Sequence, residues 1–156
     1  MTGLEIEGFR IAPAEAADAA RLATLRVAAM RPSLEAVGRF DPKRAHDRFL
    51  DGFDAGDTWL VLEDEALAGF FVVRRREDHV YLDHIYFSES YQRRGLGRRI
   101  VEGLKAEARA AGLPVRLMAL NGSPANGFYL SCGFGVVSSD ALDTVYEWRV
   151  GEVGGV

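Results

Sequence analysis

One cysteine, Cys132, in 156 residues excludes an internal disulfide and a cysteine-rich zinc site. The three histidines, His46, His79 and His84, do not have metal-ligand spacing, so no metal is expected. No apolar run approaches the roughly 20 residues a bilayer-crossing helix needs. The opening Met1–Glu7 lacks the basic-then-apolar pattern of a secretory leader. No membrane partner is expected, and a cytoplasmic location is. Positive charge is also short: 19 Lys and Arg face 23 Asp and Glu, a formal net charge of −4. Nucleic-acid binders are usually basic, so no nucleic-acid partner is expected. Internal repeats, low-complexity segments and linker-like stretches are missing as well.

What remains is ordinary globular composition, 48% hydrophobic and 27% charged. The length predicts one domain over residues 1–150 and a flexible C-terminal tail over residues 151–156. Periodicity predicts a strand at Ile6–Ala12 and a helix at Ala14–Met30, followed by an irregular link over Arg31–Phe40. Asp41-Pro42 is a cap with a first-turn proline and opens a second helix to about Phe53. Thr58–Leu62, Ala66–Arg75 and His79–Phe87 read as an antiparallel meander joined by short polar turns. Gly95–Ala111 carries the stripe Leu96, Ile100, Leu104, Ala108 and Ala111, and Gly112 with Pro114 stops it. Val115–Leu120 is an apolar strand. Ser123-Pro124 opens a short helix to about Ser131, which Gly133 ends. Phe134–Ser138 and Thr144–Val150 close the chain. Strands do not alternate strictly with helices. The predicted class is therefore α/β of the α+β type, with a mixed, mostly antiparallel central sheet of six to seven strands flanked by about four helices.

The chemistry concentrates at the junction His84-Ile85-Tyr86-Phe87 to Arg98. A strand runs into a glycine-punctuated loop, and the loop runs into a helix. The first amides of a helix have no internal partners, and the helix dipole places partial positive charge there. Gly95 and Gly97 allow close approach of a ligand to the backbone, and Arg93, Arg94 and Arg98 add full charge. Such a junction suits a diphosphate; it also suits a helix start whose glycines serve packing. The third glycine of the dinucleotide fingerprint is replaced by Ile100, and the P-loop ending Gly-Lys-Ser/Thr is absent. Arg74-Arg75-Arg76 reads as a solvated strand end. Cys132 reads as a small packed residue.

Gln92-Arg93-Arg94-Gly95-Leu96-Gly97 resembles the Q/R-x-x-G-x-G/A signature of the GNAT superfamily of acetyl-CoA-dependent N-acetyltransferases. Ala125-Asn126-Gly127-Phe128-Tyr129-Leu130-Ser131-Cys132-Gly133-Phe134 resembles that family's A-x-x-F-Y-x-x-x-G-F segment. The two motifs stand one helix and one strand apart, as in the family, and the resemblance covers about residues 5–150. It implies the GNAT acyl-CoA N-acyltransferase fold and acetyl-CoA as co-substrate. It implies that Ile85, Tyr86 and Phe87 offer backbone groups to the pantetheine arm. The loop Gln92, Arg93, Arg94, Gly95, Leu96, Gly97 and Arg98 would hold the diphosphate. Asn121 and Asn126 lie near the place where the family often has an asparagine on the cofactor. Tyr129 matches the tyrosine that donates a proton to the departing thiolate; its plainer role is an aromatic staple beside Phe128.

The implied reaction is acetyl transfer to a primary amine, of a small molecule or a peptide, by direct attack in a ternary complex. The amine must lose a proton first. Asp83 and His84 are the two candidates for that base; as strand neighbours they point to opposite faces. Two alternatives stay open: a non-catalytic acyl-CoA binding or sensing module, and a protein N-terminal or lysine acetyltransferase. Family members are often dimers, so a homodimer is implied.

Overall fold

A computed structural model describes residues 4–151. Seven strands and four α-helices follow in the order β1 (Arg10–Pro13), α1 (Ala19–Ala36), α2 (Pro42–Asp51), β2 (Thr58–Glu63), β3 (Ala66–Arg75), β4 (Val80–Phe87), α3 (Leu96–Ala111), β5 (Val115–Leu120), α4 (Ala125–Ser131), β6 (Gly135–Ser139) and β7 (Asp143–Trp148). The strands form one sheet in the order β1-β2-β3-β4-β5-β7-β6. β4 and β5 pair in parallel, with Leu82 opposite Leu117. The pairs β1–β2, β2–β3, β5–β7 and β6–β7 are antiparallel. The expected mixed and mostly antiparallel sheet is thus what forms.

The chain divides into two compact units, Met1–Val72 with His84–Gly97, and Val73–Asp83 with Arg98–Val156. In the first, the core joins Leu22 and Ala23 of α1, Phe49 of α2, Leu60 and Leu62 of β2, and Phe70 and Val72 of β3. Leu22 and Phe70 have no exposed surface. Burial of such a side chain contributes about 1.5–3 kcal/mol. In the second, the α3 stripe Ile100, Leu104 and Ala108 is fully buried, and Val115, Leu117, Tyr146 and Trp148 are nearly so.

Several boundaries differ from the expectation. β1 begins at Arg10 rather than Ile6, because Gly8 adopts φ +86° and Phe9 N–H turns back to Ile6 O at 3.0 Å. α1 begins at Ala19, after a 3-10 turn at Ala16–Asp18, and runs to Ala36 instead of stopping at Met30. Pro32 lies inside it. The helix ends where Gly38, at φ +70°, lets its N–H bond Glu35 O at 3.0 Å and Arg39 N–H bond Leu34 O at 2.9 Å. This paired closure satisfies carbonyls that a helix end otherwise leaves open. Most of the expected Arg31–Phe40 link is therefore helix. β7 stops at Trp148. Of the expected tail, residues 152–156 lie outside the described residues.

Candidate active site

The loop between β4 and α3 is built in the first unit. Ser88 N–H bonds Ala68 O at 2.9 Å, and Ser88–Tyr91 closes as a turn with Tyr91 N–H on Ser88 O at 2.9 Å. Gln92 Nε2 then donates back to Phe87 O at 2.9 Å. Gln92 therefore ties the loop to the end of its own strand. Arg93 follows at φ +60° and Gly95 at φ +79°. A non-glycine residue in the left-handed region costs roughly 1–2 kcal/mol and persists only where its surroundings impose it. A Cβ built on Gly95 meets nothing within 4 Å, so the space above the loop is open.

The arginines of this stretch differ in fate. Arg94 is folded back: its guanidinium lies 5.2 Å from the Tyr91 ring centre and 5.7 Å from that of Phe9, and 4.0 Å from Glu63. Tyr91 OH donates to Glu63 Oε1 at 2.9 Å, and that bond holds its phenol proton above the usual range. Arg94 is thus an anchor of the loop. Arg93 is exposed, with its charge directed to solvent. In the second unit, Arg98 Nη2 donates to Ser131 Oγ at 2.8 Å, and its guanidinium lies 5.9 Å from the Phe128 ring centre. Lys105, only 7% exposed, reaches Cys132 O. Two cations of α3 thereby meet the carbonyl end of α4, where the helix dipole is negative.

β4 carries two faces. Leu82, His84 and Tyr86 share one, and Tyr81, Asp83, Ile85 and Phe87 the other. In the first unit, the His84 ring packs edge-on against Phe49 at 5.2 Å and lies 5.7 Å from the Tyr86 ring. Tyr86 OH donates to Met30 Sδ at 3.3 Å. In the second unit, Asp83 accepts from Arg74 Nε at 3.1 Å. The candidate bases thus separate: Asp83 has a permanent cation beside it, and His84 stands among aromatic rings.

Tyr129, 6% exposed, sits in α4 among Phe128, Phe134 and Tyr146, with ring centres 5.2, 5.8 and 6.2 Å away. Gly133, at φ +91°, ends the helix: its N–H bonds Leu130 O at 3.0 Å and Phe134 N–H bonds Tyr129 O at 3.1 Å. The motif's Tyr-x-x-x-Gly-Phe spacing is the spacing of this closure, including its apolar Tyr129–Phe134 contact. Both asparagines turn inward. Asn121 donates to Asp140 O at 2.9 Å and accepts from Thr144 Oγ1 at 2.6 Å, which pins the β6–β7 turn. Asn126 donates to Leu120 O at 2.8 Å and accepts from Tyr146 OH at 2.7 Å, which ties α4 to the end of β5.

Some residues escape the sequence reading. Gly69 is one. A Cβ there would fall within 3.0 Å of the Phe87 ring and of Tyr86 O, so only glycine lets the end of β4 lie where it does. A glycine inside a strand is the signal that would have found it. The triplet beginning at Arg74 is not simply solvated: Arg74 pairs with Asp83, and Arg75 binds Glu107 through two bonds of 2.7 and 2.8 Å. Cys132 is a buried free thiol, and burial pushes its proton affinity up. Among the described residues no group of three His, Cys, Asp or Glu could hold a metal ion, and no helix is long and apolar enough to cross a membrane.

Comparison with known proteins places this geometry. The fold is similar to that of a PaiA N-acetyltransferase from Thermoplasma acidophilum, solved in complex with coenzyme A. That match has a TM-score of 0.69 at 16% identity, covering 90% of this chain and 98% of that one. It is also similar to an acetyltransferase from Thermus thermophilus, with TM-score 0.67, 19% identity, and 91% and 97% of the two chains covered. An acetyltransferase from Streptococcus agalactiae gives TM-score 0.67 at 18% identity over 93% and 100% of the two chains. No curated protein matches the sequence. Residues 23–134, well over half of the chain, match the acetyltransferase (GNAT) family model. A sheet, a loop and a helical closure that each satisfy the sequence motifs, together with that match, mean that this chain belongs to the GNAT acetyltransferase family.

Proposed function

We propose that the protein transfers an acetyl group from acetyl-CoA to a primary amine by direct attack, without a covalent enzyme intermediate. The observation that carries this reading is the loop from Gln92 to Leu96, which holds left-handed backbone at both Arg93 and Gly95 directly before α3. An exposed Arg93 and the open space beside Gly95 stand directly before the first amides of α3, an arrangement that suits a diphosphate. Membership of the family, and the coenzyme A bound in the PaiA structure, support the choice of ligand.

Acetyl-CoA supplies the activated acyl group; the chain supplies position and proton transfer. Arg93 contributes charge and the loop amides contribute direction. A backbone amide near Phe87 polarises the thioester carbonyl as negative charge builds on its oxygen. His84 takes the proton that the amine must shed, since imidazole titrates near neutrality. Asp83 is the weaker choice because its carboxylate is already engaged by Arg74 Nε at 3.1 Å. Tyr129 gives its phenolic proton to the leaving thiolate: a thiol near 8.5 and a phenol near 10 are close enough for that transfer.

Tyr129→Phe tests the scheme. Turnover is expected to fall about 10²- to 10⁴-fold, the usual worth of a positioned acid, with calorimetric affinity for coenzyme A unchanged. Unchanged turnover removes Tyr129 from the mechanism. Absence of any heat with acetyl-CoA or coenzyme A ends the proposal.

A further inference from the structure

Arg26 of α1 is a buried cation that forms no ion pair among the described residues. It is 8% exposed. Its Nη1 donates to Ala45 O of α2 at 2.6 Å, while its buried Nε has no partner. Of the acids flanking Ala45 in sequence, Asp41 accepts Arg44 N–H at 3.1 Å, and Asp47 binds Lys43 at 2.6 Å. A guanidinium offers five donors in a planar fork. Removing Nε from water without a partner leaves part of that capacity unmet, and a buried charge that lacks a partner is costly for a fold to retain.

Its position gives the cost a use. Leu22, Arg26 and Met30 stand four residues apart and so form one row along α1. Leu22 ends in the core, and Met30 receives the Tyr86 hydroxyl at 3.3 Å. On α2, Ala45 is one turn before Phe49, whose ring packs on His84 at 5.2 Å. Arg26 thus belongs to the same wall of the first unit as the base proposed above. Aromatic and thioether neighbours there would keep water from an ion pair and strengthen it.

We infer that Arg26 recognises a carboxylate on the acceptor, so that the amine acetylated here belongs to an amino acid or a short peptide rather than to a simple alkylamine. The inference rests on the amine-acetylation reading. A carboxylate completes the guanidinium fork bidentately and supplies the missing charge. Arg26 acts as a specificity residue, and its effect falls on acceptor KM more than on kcat.

Acetyl-CoA-dependent thiol release is measured with pairs of primary amines that differ only in carboxylate against carboxamide, using wild type, Arg26→Gln and Arg26→Lys. The wild type is expected to favour the carboxylate member by about 10- to 100-fold in kcat/KM, the worth of a charge-assisted pair. Arg26→Gln should bring the ratio near one, and Arg26→Lys should restore part of it. In parallel, the wild type with coenzyme A should gain thermal stability from the carboxylate and not from the carboxamide. That arm decides the matter even if both variants fail to fold. Equal turnover and equal protection within every pair overturn this inference and leave amine acetylation standing. A carboxylate preference that persists in Arg26→Gln also overturns it, making Arg26 a tie between α1 and α2. Failure of every amine, with coenzyme A still bound, overturns both readings.

Discussion

Arg93 holds a backbone angle of φ +60° that its side chain disfavours, and the same residue points an uncompensated charge outward. The two properties can be separated. Arg93→Gly removes the left-handed penalty and adds unfolded-state entropy, two terms of about 1 kcal/mol each and of opposite sign. Its melting temperature should therefore stay close to that of wild type, while coenzyme A binding weakens several-fold and becomes less salt-sensitive. A fall in melting temperature with unchanged affinity would make the residue structural. At this scale the motif residues were legible as a group but not in their tasks. Arg93 and Arg94 are adjacent and chemically identical, yet Arg94 is held by Phe9, Tyr91 and Glu63. Asn121 directly follows β5, and Asn126 lies in α4. Their amides, though, are committed to Asp140 and Leu120 carbonyls, partners that no local pattern reveals.

Elements were the most legible scale, because their start and stop signals are local. Asp41 caps α2 by accepting Arg44 N–H at 3.1 Å, and Gly112 and Gly133 end α3 and α4 where their left-handed angles permit. The exception is α1. Pro32 lies inside it, although proline lacks the N–H that an interior position donates. The helix nevertheless continues to Gly38, whose closure by two bonds supplies the real terminus. Packing of α1 against α2, visible in Arg26 on Ala45 O, is a tertiary gain that propensity does not contain. Gly69 gives the matching test on a strand. Gly69→Ala places a methyl against backbone oxygen as well as a ring, so neither neighbour can simply rotate away. The variant should lose about 1–3 kcal/mol of stability, the usual cost of overpacking. It should also lose acetyl transfer beyond what stability explains, because the end of β4 is displaced. Chemical denaturation and turnover at a temperature where the variant is folded check both parts.

The whole molecule adds an acid sensitivity. Arg75, by hydrogen bonding, holds Glu107 below the usual glutamate range; Asp78, Asp140 and Glu147 are also depressed. A depressed folded-state pKa contributes stability above the unfolded value and loses it as pH falls through the folded value. Stability should thus be level near neutrality and decline below about pH 4.3. Glu107→Gln should be less stable at neutrality and should show a shallower acid decline. Melting temperature followed from neutrality to about pH 3 tests this; an identical slope in wild type and variant would remove the Arg75–Glu107 pair from the account.

The sequence by itself determined the elements, their order, the glycine-punctuated loop before α3 and the tyrosine within its helical closure. These depend on periodicity, caps and glycine geometry, all of which act over a few residues. Only the tertiary structure decided which polar groups are consumed and which are left over. Arg98 finds Ser131 across 33 positions, and Tyr146 finds Asn126 across 20. Arg26, 19 positions from its carbonyl partner, keeps a buried Nε without a partner among the described residues. Whether a buried polar group is satisfied depends on what folding brings beside it, and distance along the chain carries no record of that.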